Sequence, residues 1–399
     1  MKRLIELSKI SLLSIGLVCS NLFLSTVSFA APVGGLNSIK IKMRDADFQN
    51  VVVGRGKKVE AQAEISFNGG PYQKSEVESR GQSCLTVAKR PCLGIKTENK
   101  IQFQGVNGLE GKTFNLASMW QDRGFVSSRL GFDMFRALGI FDLKSEYVVV
   151  WINELPYGLY LATEKPKKAI ARITDDAWIG RRGYKTRLET VEQSKSISEK
   201  SAVAQFRSLY KDVSLLSGEA LRVNLESKIN LKRYMQWLIV NSVMLNGDYA
   251  DEVFFYIDGK DPKRRFEIMP WDFDDLFKEP HAGPENLARA DSINTGILYG
   301  FENPLDVKIA DDPVLSRMLR SEAREILSKI SPSLVERVVG QIQRDLVSYA
   351  REPEVLNCGL RDSYRKPYTE KFFIETSDRR QAAILKRVEV LKTRAQGLD

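Results

Sequence analysis

Asn246-Gly247-Asp248-Tyr249-Ala250-Asp251-Glu252 runs into Val253-Phe254-Phe255-Tyr256-Ile257. After the polar turn at 258–265 the chain continues as Phe266-Glu267-Ile268-Met269-Pro270-Trp271-Asp272-Phe273-Asp274-Asp275. Two β-type runs around an Asp-Gly turn read as a hairpin. In an antiparallel hairpin the start of the first strand lies beside the end of the second. Asp248 and Glu252 are therefore expected at the same edge as Asp272 and Asp274. Clustered carboxylates repel one another unless a cation or protons compensate. Hard oxygen donors without histidine or thiolate suit Mg²⁺, Mn²⁺ or Ca²⁺. Asp272 and Asp274 are one residue apart, so along a strand both are expected to point to one face. The plainer alternative is that these acids cap helices or pair with surface Lys and Arg.

Composition narrows the chemistry further. The chain has 399 residues, a length that suits two or three packed units and a large core. Its single histidine, His281, argues against a Ser-His-Asp triad, a Cys-His dyad and histidine-rich metal sites. Four cysteines are too few for a disulfide scaffold. The net charge of +9 is spread without long Lys/Arg blocks, so no nucleic-acid partner is expected. A basic average suits a phosphate-bearing ligand or an anionic envelope surface equally well.

The first thirty residues read as a signal peptide: Lys2, Arg3 and Lys9, then an apolar run, then Ser28-Phe29-Ala30 with cleavage before Ala31. A retained anchor is the alternative, although the apolar stretch is short for a ~30 Å bilayer core. The mature chain is expected to be exported, periplasmic or extracellular, monomeric and without a transmembrane helix. In an oxidising compartment Cys84 and Cys92 have the spacing to close a short loop, leaving Cys358 free.

Outward from the hairpin, residues 31–165 read as a β-rich lobe. Strands are expected at 59–67, 76–80, 93–97 and 147–153, with one helix at 126–138. Residues 166–399 read as mainly helical, with helices at 201–216, 231–245, 313–330, 334–350 and 378–395. The expected fold class is α+β, a β-rich N-lobe followed by a helical C-lobe that carries the acidic hairpin. That layout, with one acid before a short hairpin and another after it, matches the logic of a phosphoryl-transfer site.

The ordered set of motifs resembles the spore-coat protein H (CotH) kinase-like family. Asn246-Gly247-Asp248, the aromatic strand ending at Tyr256 and Pro270-Trp271-Asp272-Phe273-Asp274 carry the resemblance. Arg80-Gly81-Gln82-Ser83, Gly111-Lys112-Thr113-Phe114-Asn115-Leu116, Asp122 with its following helix, and Gly158–Glu164 fall in the same order upstream. The resemblance implies an atypical protein-kinase-like two-lobed fold. It also implies ATP with Mg²⁺ or Mn²⁺, and a protein substrate phosphorylated on Ser or Thr. By that analogy Asp248 is the catalytic acid, and Asp272 with Asp274 and Glu252 holds the metal. Glu164 marks the hinge near the adenine, and Arg80 and Lys112 lie near phosphates.

Two positions depart from the family. Relatives usually carry Asn just before the aromatic strand, where this chain has Asp251-Glu252. Gly94 stands where a basic residue is frequent. A non-catalytic, pseudokinase-like envelope or surface binding protein is therefore the alternative function, and a metal-dependent nucleotidyl transferase or hydrolase is a third. The run 105–113 resembles a Walker A loop but has the wrong glycine spacing and a strand-like sequel. Asp274 and Asp275 are adjacent and would point apart on a strand, which counts against a two-carboxylate glycosidase.

Overall fold

Alternation of apolar and polar residues builds most of the first half. The computed structural model describes residues 36–54, 56–122, 124–183, 186–247, 249–251, 253–277, 296–299, 303–356 and 368–396. Seven strands close into a barrel: β1 (Ser38–Lys42), β2 (Glu60–Phe67), β3 (Gln73–Arg80), β4 (Cys92–Gln102), β5 (Glu110–Ala117), β6 (Ser145–Ile152) and β7 (Leu155–Glu164). The order around the barrel is β1-β2-β3-β4-β5-β7-β6, and β1 closes it by pairing in parallel with β6. Val77, Leu93, Ile95, Phe114, Leu116, Tyr160 and Ala162 fill the interior. Their neighbours in sequence face outward, because successive strand residues alternate sides. The β-rich first half is thus a closed barrel, where a kinase-like N-lobe was expected. Closure removes the two free edges that an open sheet would leave.

The expected helix at 126–138 is Ser127–Ala137, and Ser128 N–H donates to Asp122 Oδ2 at 3.0 Å at its start. Four later helices fall close to expectation at Glu199–Leu215, Leu231–Val243, Pro313–Lys329 and Pro332–Tyr349, while the last, Glu370–Gln396, begins well before the expected 378. The second half is less purely helical than its sequence suggests. Two short strands, β8 (Ala177–Arg182) and β9 (Leu188–Glu192), join the hairpin strands β10 (Val253–Asp258) and β11 (Phe266–Pro270) in one sheet ordered β11-β10-β8-β9. Gly180 and the Arg181-Arg182 pair hide β8 in the sequence, since neither is a strand signature.

Buried polar groups tie helices to the barrel. Tyr349 OH donates to Tyr147 O and accepts from Asn37 N, both at 2.8 Å. Arg129, fully buried, meets Asp133 at 3.0 Å and Glu146 and Asp345 at 3.4 Å each. One guanidinium therefore links the Ser127–Ala137 helix, β6 and the Pro332–Tyr349 helix. Among the described residues no helix is long and apolar enough to cross a membrane. Residues 1–30, His281 and Cys358 lie outside the described residues.

Candidate functional site

The expected hairpin forms. Val253 pairs with Pro270 and Ile257 with Phe266, and an isolated antiparallel bridge joins Asn246 to Leu276. The chain before β10 and the chain after β11 thus run side by side, as the topology requires. Asp248 and Glu252 themselves lie outside the described residues.

Asp272 and Asp274 come together, but not by strand pleating. β11 ends at Pro270, and Asp272 adopts φ +47°, the left-handed region. Asp enters that region more readily than most residues because its short polar side chain bonds locally. Here the Asp274 N–H donates to the Asp272 carboxylate. The residues on either side hold the kink. The Phe273 ring stacks on Phe135 at 5.4 Å and meets Phe132 edge-on at 5.1 Å, while Trp271 meets Phe254 at 5.6 Å. Gly131 makes this possible: a Cβ there would lie 2.1 Å from the Phe273 ring. Gly131→Val is accordingly expected to cost about 1–3 kcal/mol by overpacking, read as a lower denaturation midpoint.

Both acids line a cavity of about 270 Å³ on the outer face of the barrel. Arg80, at the end of β3, lines it too, as do Cys92, Ala117, Leu161 and Thr163 from β4, β5 and β7. Gly81, at φ +77°, turns the chain sharply from β3 into the short helix Gln82–Thr86. Cys84 in that helix is disulfide-bonded to Cys92, so the bridge forms part of the cavity wall.

Arg181, which sequence reasoning missed, lines the same cavity from β8. Its neighbour Arg182 points the other way and is fully buried. Arg182 donates to Tyr234 OH at 2.5 Å and to the Ala250 carbonyl, and Tyr234 OH donates to Asp306 at 2.5 Å. The turn Tyr249–Asp251 is thereby anchored two residues past position 248. No sequence signal marked Arg181, because Gly180 and the arginine pair mask the strand whose alternation sends one arginine inward and the other outward.

Burial pushes the Asp272 carboxyl up, Arg181 and then Arg80 pull it back, and Asp275 adds repulsion. The Arg80 guanidinium is pushed down by burial, steadied by Asp272 and Glu78 and opposed by Arg181. The cavity thus sets two cations against an acid that its surroundings disfavour in the charged form. A bound cation relieves the acid, and an anion relieves the arginines. Among the described residues no three acids converge tightly enough to form a metal cluster. Two hard carboxylates on one cavity nevertheless suit Mg²⁺, which commonly takes one or two protein carboxylates plus phosphates and water.

The remaining candidate residues lie elsewhere. Lys112 is exposed and falls on the opposite pleat of β5 from Asn115 and Ala117. The buried Glu164 carboxylate accepts from Arg172 Nε and Lys144 N, both at 2.9 Å, and from Arg172 Nη2 at 2.8 Å. Thr163, not Glu164, faces the cavity.

A barrel-plus-sheet α+β protein with an arginine-and-aspartate cavity on the barrel's outer wall is the class that fold and site define. The chain belongs to the CotH kinase protein family, whose sequence pattern matches residues 77–357. It is similar to the inner spore coat protein H of Bacillus subtilis (strain 168), with 25% identity over 308 residues, covering 72% of this chain and 77% of that protein.

Proposed function

We propose that this protein is an exported, ATP-dependent atypical protein kinase that transfers a phosphoryl group to Ser or Thr of a protein substrate. The observation that carries the reading is the meeting of Arg80, Arg181 and Asp272 in one cavity, with the antiparallel bridge of Asn246 to Leu276 closing the same hairpin. On this reading the barrel and the mixed sheet-and-helix half play the parts of the two kinase lobes. Asp272 and Asp274, with Glu252, hold Mg²⁺ or Mn²⁺, and Arg80 and Arg181 receive phosphate oxygens. The metal supplies charge neutralisation on the phosphates. Asp248 accepts the proton of the acceptor hydroxyl, whose oxygen bonds to the γ-phosphorus as the bond to ADP breaks. No nucleophilic side chain is required, which suits a chain with a single histidine.

Membership of the CotH kinase family supports the kinase-like reading. The signal-like first thirty residues and the Cys84–Cys92 bridge support export, since disulfides persist in oxidising compartments. The departure at Asp251-Glu252 favours the pseudokinase-like alternative.

Incubation with γ-labelled and α-labelled ATP, Mg²⁺ and a Ser/Thr protein acceptor tests the proposal. Transfer of the γ-label, reduced on the order of 10²–10⁴-fold in Asp248→Asn, is the expected result. Transfer of the α-label would mean nucleotidylation. Nucleotide binding with no transfer would leave a binding module.

A further inference from the structure

A row of residues on the outer wall of the barrel lies next to the cavity. The register pairs Glu78 with Gly94, Gly94 with Asn115, and Asn115 with Thr163. The row therefore crosses β3, β4, β5 and β7, two residues along from Arg80 on β3 and reaching the cavity at Thr163. Phe114 and Leu116 point into the barrel core, so Asn115 between them points outward, onto this row.

Asn115 is only 2% exposed, yet its side-chain Nδ2 has no hydrogen-bond partner. A buried amide donor left unmatched is unfavourable, and buried polar groups are usually paired. Gly94 beside it lacks a side chain, and the Glu78 carboxylate lies in the space so left: a Cβ at Gly94 would be 2.4 Å from Glu78 Oε1. Two lysines hold that carboxylate, Lys58 at 2.8 Å and Lys165 at 3.2 Å. Although burial pushes the Glu78 carboxyl up, the lysines hold it below the usual carboxylate range. Lys165 follows the last residue of β7, so its ion pair with Glu78 on β3 spans the intervening strands that carry Asn115 and Gly94.

We propose that Lys165 and Asn115 form an anion subsite continuous with the Arg80–Arg181 cavity, which takes a phosphoryl oxygen of the ligand. Glu78 holds Lys165 in reserve when no anion is bound. Binding exchanges one partner for another: Lys165 leaves the Glu78 carboxylate, which keeps Lys58, and the Asn115 amide gains the acceptor it lacks. The inference rests on reading the cavity as a phosphate site, but it requires neither the metal nor transfer chemistry.

Calorimetric titration of the full chain with inorganic pyrophosphate, in the presence of a metal chelator, tests it. Lys165→Met is expected to weaken binding about tenfold. Glu78→Gln, close in shape, is expected to tighten it several-fold by freeing Lys165. Asn115→Leu is expected to weaken it, and if that variant fails to fold the other two decide. No pyrophosphate binding, an unchanged Lys165→Met, or weaker binding by Glu78→Gln would overturn the subsite. The two readings fail separately. Loss of Mg²⁺-dependent nucleotide stabilisation in Asp272→Asn, with no response of pyrophosphate to Lys165 and Glu78, keeps the kinase reading and removes the subsite. The reverse pattern removes the kinase reading and keeps the subsite.

Discussion

Arg129→Leu is expected to cost the fold roughly 3–5 kcal/mol, the usual penalty for removing one partner of a buried ionic cluster. Asp133, Glu146 and Asp345 all lie within 3.4 Å of the Arg129 guanidinium, and Asn107 N–H donates to Glu146 at 2.6 Å. Arg136 also pairs with Asp133, so one carboxylate keeps a cation in the variant. Glu146 loses its cation, and Asp345 keeps only the weaker pull of Arg344. Burial pushes both carboxyls up even with Arg129 present to pull them down. A carboxyl raised in the folded state contributes stability below its unfolded pKa, near 4, and that contribution is lost as pH rises through the folded value. The deficit of the variant is therefore expected to grow from acid toward neutral pH. Urea denaturation of both proteins at several pH values measures it; an equal deficit at every pH would remove the electrostatic account.

Asp272→Asn is expected to have the opposite signs for stability and for function. Asn tolerates the left-handed conformation at φ +47° as Asp does, so the backbone between Trp271 and Phe273 is kept. The wild-type carboxyl is raised by burial despite Arg181 and Arg80. Its ionised form therefore destabilises the ligand-free protein, and the neutral amide relieves that cost. The variant is expected to melt higher than wild type at neutral pH, with the difference vanishing as pH falls below the ordinary carboxylate range. Under the proposed function the same change removes the metal-holding charge. Thermal stabilisation by ATP with Mg²⁺ should then disappear, and phosphoryl transfer should fall on the order of 10³-fold. Thermal shift with and without Mg²⁺-nucleotide checks both halves. A nucleotide shift retained in full would refute the ligand role of Asp272.

Much of the architecture was legible because it rests on local periodicity. The Val253–Asp258 and Phe266–Pro270 hairpin and the helices Ser127–Ala137, Leu231–Val243 and Pro313–Lys329 follow from alternating or 3.6-residue apolar spacing with clear turn residues. β8 was not legible, because Gly180 and two arginines replace the apolar pattern and its partner β10 is more than seventy residues away. Barrel closure was not legible either, since the parallel pairing of β1 with β6 is a long-range contact that leaves no local mark. At the site, Asp272 and Asp274 were identified with the wrong geometry. The strand ends at Pro270, before either acid, and aromatic packing against Gly131, rather than pleating, turns both acids to the cavity.

By itself the amino-acid order determined the family, through the order of its motifs along the chain, the α+β class, through the periodicity of each half, and the hairpin return, through spacing within a short stretch. Only the tertiary structure decided that Arg80 and Arg181 face Asp272 and that Lys112 and Glu164 do not. Those outcomes depend on which pleat of each strand faces the cavity, and on how β3 and β8, a hundred residues apart, come to one wall.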